Sequence, residues 1–96
     1  MIQSFACVET ERIFHGDYSR RRPTQIQVVA RRKLHLLHAA VRLDELRIPP
    51  ANRFESLKGS RNGRNGQHSI RINDQWRICF IWTSSGPTRV EIVDYH

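Results

Sequence analysis

The sequence predicts a single α+β domain over residues 1–96, with helices packed on a mostly antiparallel sheet of about four strands. Two observations predict this class. The first half contains one long amphipathic helix, and the second half consists of short segments of alternating polarity separated by turn residues. Helices followed by hairpin-linked strands are typical of α+β proteins. A chain of 96 residues is long enough for one hydrophobic core.

The N-terminal quarter is predicted to contain a strand, a short helix and a loop. Residues 2–8 form a short apolar segment typical of a strand, and residues 9–15 allow one or two helical turns. The segment 16–23 begins with glycine and ends with proline, which favour irregular structure. It carries Arg20, Arg21 and Arg22, so we expect a mobile basic loop there.

The main helix is predicted to begin at Thr24 and to continue to about Val41 or beyond. Pro23 precedes it, and Gln27 follows Thr24 by three residues, which is the spacing of a reciprocal capping box. The apolar side chains fall on one stripe that we expect to face the core, formed by Ile26, Ala30, Leu34, Leu37 and Val41. The opposite side is basic and carries Arg31, His35, His38 and Arg42. The double proline at 49–50 closes the helical region.

Four strands are predicted after the helical region, over residues 53–57, 68–72, 76–83 and 88–96. In the third strand the aromatic residues Trp76, Phe80 and Trp82 share one side with Ile78, and Arg77 points to the other side with Cys79 and Ile81. We therefore expect a sheet that packs on the helix with one side and is cationic on the other. A cross-strand ion pair between Arg77 and Glu91 is an alternative role for this arginine.

The charge balance predicts a polyanionic partner. The net charge is +7, and only Lys33 and Lys58 are lysines, so fourteen of the sixteen basic residues are arginines. Guanidinium groups bind phosphate with a planar fork and stack on bases. An isoelectric point near 10.7 is typical of nucleic-acid-binding domains, and an acidic protein partner fits the same charge.

Several other functions are not favoured by the sequence. His35 and His38 lack a third ligand at a recognisable spacing, the two cysteines are far apart, and no phosphate-binding glycine motif occurs, so no metal or cofactor is predicted. No apolar segment is long enough to span a membrane, and the N-terminus does not resemble a signal peptide. We expect a cytoplasmic protein.

Groups capable of acid–base chemistry are concentrated at the end of the chain. Asp94, Tyr95 and His96 are the last three residues, and strand alternation puts the first and third on one face. Chain ends usually fray, so these residues alone do not establish a site. Glu55 and Lys58 add a carboxylate and an ammonium close together in sequence.

Longer motifs make the chain resemble a known family. Leu57-Lys58-Gly59, Ser69-Ile70-Arg71, Trp76-Arg77-Ile78 and the terminal Asp94-Tyr95-His96, in this order on a short basic α+β chain, closely resemble the HigB toxins of the RelE/ParE superfamily. The resemblance covers essentially the whole chain, and residues 10–23 match only loosely. It implies a RelE-like fold and a ribosome-dependent mRNA endoribonuclease that belongs to a bacterial type II toxin–antitoxin system.

The resemblance also implies partners and residue roles. A HigA-like, helical DNA-binding antitoxin would silence the toxin, and operator DNA would be bound only through that complex. Lys58 and Arg77 would stabilise the phosphate, and Asp94, Tyr95 and His96 would form the catalytic cluster, with proton transfer assigned to His96. Contacts to ribosome and RNA would involve the basic residues Arg20, Arg21, Arg22, Arg31, Arg42 and Arg71.

The chain departs from some members at two positions. Glu55 stands where they have histidine, and Asn73 where they have arginine. Glu55 could still act as a base, because a carboxylate near Lys58 would stay ionised. Two alternatives follow: a gyrase-inhibiting toxin of the ParE type with the same fold, and a weakly catalytic RNA- or ribosome-binding module.

Overall fold

The computed structural model describes residues 1–57 and 66–94. Two α-helices come first, α1 (Val8–Phe14) and α2 (Thr24–Ala39). Two short 3₁₀ helices follow at Leu43–Arg47 and Pro50–Asn52. The remaining elements are the strands β1 (Glu55–Leu57), β2 (Gln67–Arg71), β3 (Trp76–Thr83) and β4 (Gly86–Asp94). The predicted α+β class is confirmed.

The four strands form one antiparallel sheet in the order β1-β2-β3-β4. The apolar stripe of α2 packs on one face of this sheet, as the helical periodicity predicts. The core is made of Ile13, Ile26, Ala30, Leu34, Leu37, Leu46, Ile70, Ile78, Phe80, Val90 and Ile92. In the described ranges, no helix combines the length and the apolar character needed to cross a membrane.

The strand predicted for residues 2–8 is wrong. This segment runs beside β4 but makes only one isolated parallel bridge, between Phe5 and Val90, and α1 already begins at Val8. Backbone hydrogen bonds from Gln3 to Pro87 (2.7 Å) and from Ala6 to Val90 (3.0 Å) attach it. The segment thus covers the outer edge of β4, an edge that would otherwise expose unpaired backbone groups.

The capping box predicted at Thr24 is also wrong, because Pro23 occupies the N-cap position. The Gln27 side chain is used elsewhere. It exchanges hydrogen bonds with the backbone of Ser19, at 3.0 Å and 2.7 Å, and donates to the carbonyl of Arg22 at 3.0 Å. The segment 16–23 is therefore fastened to α2, in contrast to the mobile loop that its composition predicts.

The helix α2 ends at Ala39, earlier than predicted. Ala40 has an extended backbone, and Val41, expected in the core, is 82% exposed. Arg42 accordingly lies beyond the helix, where it precedes the first 3₁₀ helix and pairs with Asp44 at 3.4 Å. It does not belong to the basic face of α2.

His38, predicted on the solvent side of α2, is half-buried. Its Nδ1 accepts a hydrogen bond from the backbone N–H of Ile2 at 3.1 Å, and its ring packs against Phe14 with 5.1 Å between centroids. Burial, followed by the positive N-terminus and His35, lowers the pKa of His38. The neutral imidazole therefore holds the N-terminal segment on the helix, because a protonated ring has no acceptor.

We expect the stability of the protein to fall as the pH drops below about 6.5, the ordinary pKa of histidine. The folded state holds His38 neutral and so binds fewer protons than the unfolded state. The stabilisation by His38 is therefore complete above that pH and is lost as the pH falls below it. Thermal unfolding between pH 7.5 and 5 would measure this. His38→Gln should make the profile shallower and leave the part that comes from His68, whose pKa is also lowered by burial, and the exposed His15→Gln should not make it shallower. Equal profiles for all three proteins would contradict the assignment.

Candidate functional site

Arg77 is the best-anchored cation among the described site residues. Only 9% of it is exposed. Its Nε donates to Ser69 Oγ at 2.8 Å, and its Nη2 donates to the carbonyl of Arg53 at 2.6 Å. A guanidinium that is held by a neighbouring strand and by the backbone before β1 keeps one orientation, which a phosphate-binding group requires.

Glu55 is the candidate acid–base residue that the structure brings to Arg77. Its Oε1 lies 3.8 Å from Nη2 of Arg77. The strand register explains this proximity, because Glu55 pairs with Ser69, and Ser69 in turn pairs with Cys79 two residues beyond Arg77 on β3. The carboxylate side chain is 45% exposed, whereas the arginine is buried. A reacting group could therefore approach the pair from the side of Glu55.

The predicted cationic side of the sheet is more buried than expected. Arg77 points away from the Trp76 side, as the alternation predicts, but both it and Cys79 are buried. The register pairs Arg77 with Val93, and Glu91 with Cys79. Arg77 and Glu91 are therefore diagonal neighbours on one face of the sheet, and the cross-strand ion pair between them stays a prediction.

Asp94 lies at the end of β4. It pairs with Trp76 and accepts a hydrogen bond from Gln75 Nε2 at 3.0 Å. By alternation its side chain starts on the face opposite to that of Arg77. The strand is held near this point because Ile92 donates its N–H to the buried Thr10 Oγ1 of α1 at 2.9 Å. Helix α1 thus fixes the direction in which the chain leaves the sheet.

Three predicted catalytic residues, Lys58, Tyr95 and His96, lie outside the described residues. They remain predictions, and the site that can be described consists of Glu55 and Arg77, with Asp94 at the sheet end.

The residues predicted to contact RNA or the ribosome come from four separate segments of the chain. Arg20 and Arg21 are exposed in the loop before α2, Arg31 is exposed on α2, and Arg42 is exposed after it. Arg71 pairs with Asp74 in the turn before β3. Each could contribute to a broadly basic surface, and we expect small individual effects on binding because single exposed charges contribute little.

Arg22 differs from its two neighbours in the loop. It is half-buried, its Nη2 approaches Cys7 Sγ at 3.3 Å, and its guanidinium lies 6.0 Å from the Trp76 ring centroid. A cation over an aromatic ring near the sheet surface is a packing interaction as well as a charge. We therefore expect Arg22 to fasten the loop against β3 and to be less available for RNA than Arg20 or Arg21.

The sequence analysis missed a cleft beside Glu55, between the first 3₁₀ helix and the edge formed by β1 and β2. It has a volume of about 410 Å³ and contains Arg47, Phe54 and His68 among its lining residues. Phe54 and His68 stack in parallel, 5.4 Å apart. The sequence signal was two planar side chains flanking the predicted first hairpin, but only the strand register shows that they meet.

No group of three or more histidine, cysteine or acidic residues within residues 1–57 and 66–94 is arranged to hold a metal ion. His35 and His38, the pair considered as ligands, both pack against Phe14 instead, at 4.6 Å and 5.1 Å between centroids. In the described structure both rings therefore pack on Phe14, and His38 also accepts the hydrogen bond from Ile2.

Comparisons with known proteins agree with the predicted family and fold. The family model of the RelE-like toxin of type II toxin–antitoxin system HigB matches residues 3–96. Toxin HigB-1 of Vibrio cholerae serotype O1 is 45% identical over 71 residues, covering 72% of each chain. An uncharacterized protein of Haemophilus influenzae is 35% identical over 71 residues, covering 74% of this chain and 67% of its own.

The family match spans nearly the whole chain, and a toxin of a toxin–antitoxin system implies an antitoxin partner. The protein belongs to the HigB family of RelE-like toxins of type II toxin–antitoxin systems.

Proposed function

We propose that this chain is a ribosome-dependent mRNA endoribonuclease that inhibits translation and growth until a HigA-like antitoxin binds it. The observation that supports this most directly is the anchored Arg77 with Glu55 at 3.8 Å, in a chain of the HigB family. A gyrase-binding toxin has no need for a buried, oriented guanidinium beside an accessible carboxylate. The proposed place of action is the cytoplasm, where translating ribosomes are found.

In the proposed reaction the 2′-hydroxyl of the RNA is the nucleophile, and no metal ion takes part. The 2′-hydroxyl attacks the adjacent phosphorus, its proton passes to a base, the bond from phosphorus to the 5′-oxygen breaks, and that oxygen receives a proton from an acid. The products are a 2′,3′-cyclic phosphate and a 5′-hydroxyl. Atoms and charges balance without any further reactant.

Each step needs a group that the chain can supply. Arg77, together with Lys58, would neutralise charge on the phosphoryl oxygens as it develops. Glu55 would accept the proton of the 2′-hydroxyl, since it is the accessible carboxylate next to Arg77. His96 would protonate the leaving oxygen, with Tyr95 stacking or donating a hydrogen bond and Asp94 orienting the cluster.

The basic surface would serve docking on the ribosome. Arg20, Arg21 and Arg31 are exposed and could contact phosphates without reading sequence. Such contacts make affinity depend steeply on salt, so we expect ribosome binding to weaken as ionic strength rises. Operator DNA would be bound only by the complex with the antitoxin.

The experiment that tests the proposed function is to map mRNA 5′ ends after adding the purified protein to a reconstituted bacterial translation reaction. We expect cuts inside translated codons, loss of these cuts when ribosomes are omitted, and at least roughly 100-fold slower cutting by His96→Ala. The exposed His15→Ala is the matched control and should cut normally. No cuts by intact protein would overturn the proposal and favour the gyrase-directed or binding-only alternative.

A further inference from the structure

The cleft beside Glu55 is built from flat groups stacked in series. The ring of His68 lies between Phe54, at 5.4 Å and 9°, and the fully buried Phe80, at 6.0 Å and 23°. The guanidinium of Arg47 covers the Phe54 ring at 5.2 Å from its centroid. The stack is thus anchored in the core at Phe80, and it ends at the surface with an exposed arginine. Aromatic and guanidinium planes are the side chains on which nucleobases stack.

The cleft also offers hydrogen-bonding groups at its wall. Within the described residues, no hydrogen-bond partner reaches the buried Nδ1 atom of His68. Burial lowers the pKa of His68, which keeps the ring neutral with one donor and one acceptor nitrogen. Asp44 and Glu55 line the same cleft and can accept hydrogen bonds from exocyclic amino groups. A buried polar atom without a partner is uncommon in proteins and calls for a ligand or a water.

The cleft is joined to the proposed phosphate site through two residues. Glu55 lines it and lies 3.8 Å from Arg77. Ser69, which accepts the hydrogen bond from Arg77, follows His68 directly on β2, and their side chains point to opposite faces of the sheet. A nucleotide that passes around the edge strand β1 at Glu55 could therefore place its phosphate at Arg77 and its base in the cleft on the other face.

We propose that this cleft binds one nucleobase of the RNA substrate, stacked on the Arg47 guanidinium that covers Phe54 and hydrogen-bonded to the wall formed by Asp44, Glu55 and His68. The inference rests on the proposed function, because it names a substrate contact of that same site. A side chain of the antitoxin would be a different occupant. It matches the cleft less well, since two carboxylates and a neutral imidazole complement the donor and acceptor edges of a base.

The test follows the histidine ring signals of the full-length protein by nuclear magnetic resonance while AMP, CMP, GMP, UMP and, as a probe without a base, ribose 5-phosphate are added. His68→Gln assigns the signal of His68. We expect a saturable shift of this signal with at least one nucleotide and none with ribose 5-phosphate. Phe54→Leu removes the ring that supports both Arg47 and His68, and it should weaken binding by up to roughly tenfold, the size of one stacked base contact.

Two further variants distinguish a loss of binding in the cleft from a loss of folding. The exposed Arg47→Ala removes the outer layer of the stack without touching the core, so it should weaken binding several-fold even if Phe54→Leu folds poorly. Tyr18→Leu changes an aromatic residue that is 59% exposed and outside the cleft, and it should bind nucleotides as the wild type does. Equal weakening by Tyr18→Leu would overturn the assignment.

The remaining outcomes also separate this inference from the proposed function. Equal shifts with ribose 5-phosphate, no shift at millimolar nucleotide, or a shift only with an antitoxin would each overturn the base site. Cleavage on ribosomes without any nucleotide effect on His68 would reject the base site and leave the nuclease proposal standing. A base-dependent shift without cleavage would support the base site and reject the nuclease.

Discussion

Replacing Arg77 with lysine is expected to slow mRNA cleavage on ribosomes by roughly 100-fold to 1,000-fold, the usual cost of removing one oriented group that stabilises transition-state charge. Lysine keeps the positive charge but places it on a flexible stem without the planar fork. It cannot donate to Ser69 Oγ and the Arg53 carbonyl in the geometry of Arg77, so its charge would lose the orientation that these two contacts impose. Initial cutting rates from mapped 5′ ends would measure the effect.

The control for this prediction is Arg89→Lys, on an exposed arginine of β4. It makes the same chemical change far from Glu55 and should leave cutting rates unchanged. Thermal unfolding of both variants must accompany the rates, because Arg77 is buried and its loss also weakens packing. A folded Arg77→Lys protein that cuts at the wild-type rate would remove Arg77 from the proposed mechanism.

Much of the fold could be predicted because its signals are local. The alternation through Trp76, Ile78 and Phe80 identifies β3, and the stripe of Ile26, Ala30 and Leu34 identifies the buried side of α2. The errors have a different origin. The segment 2–8 makes its contacts with β4, at the other end of the sequence, and a local pattern cannot distinguish a single bridge from a paired strand.

The helix ends differ from the prediction for the same reason. Gln27 has the right spacing for a capping box, but its amide is taken by Ser19 and the carbonyl of Arg22, which come from the preceding loop. The end of α2 at Ala39 is marked by neither glycine nor proline, so periodicity alone extends the helix to Val41. In both places tertiary contacts override a valid local preference.

For the candidate site, sequence supplied the residues and the strand register supplied the geometry. Arg77 is predicted as a site member from a family motif, and Glu55 as a carboxylate standing where some members have histidine. Their 3.8 Å contact depends on the pairing of β1 with β2 and of β2 with β3. The stack of Phe54 on His68 has the same origin and carries no recognisable motif, which is why sequence analysis did not find the cleft.

Replacing Asn52 with leucine is expected to lower the free energy of unfolding by about 3 kcal/mol, the cost of breaking a buried polar pair from one side. Asn52 is fully buried and accepts a hydrogen bond from the ammonium of Lys33, which is 8% exposed. It also donates to the carbonyls of Leu46 and Ile48 at 3.2 Å and 3.4 Å. Burial, followed by Arg32 and Arg71, lowers the pKa of Lys33. The folded structure therefore already disfavours the charged ammonium.

A second substitution identifies the cause. Lys33→Met removes the ammonium that Asn52→Leu leaves without its acceptor, so the double variant should be more stable than Asn52→Leu alone by about 1–2 kcal/mol. Urea unfolding of the wild type, both single variants and the double variant gives this coupling directly. If the destabilisations of the two single variants simply add, the effect of Asn52→Leu comes entirely from the lost hydrogen bonds to the carbonyls of Leu46 and Ile48. Because Arg47 and Phe54 lie in the segment that Asn52 fastens to α2, nucleotide binding at the cleft should weaken in Asn52→Leu and recover in the double variant to the same extent as stability.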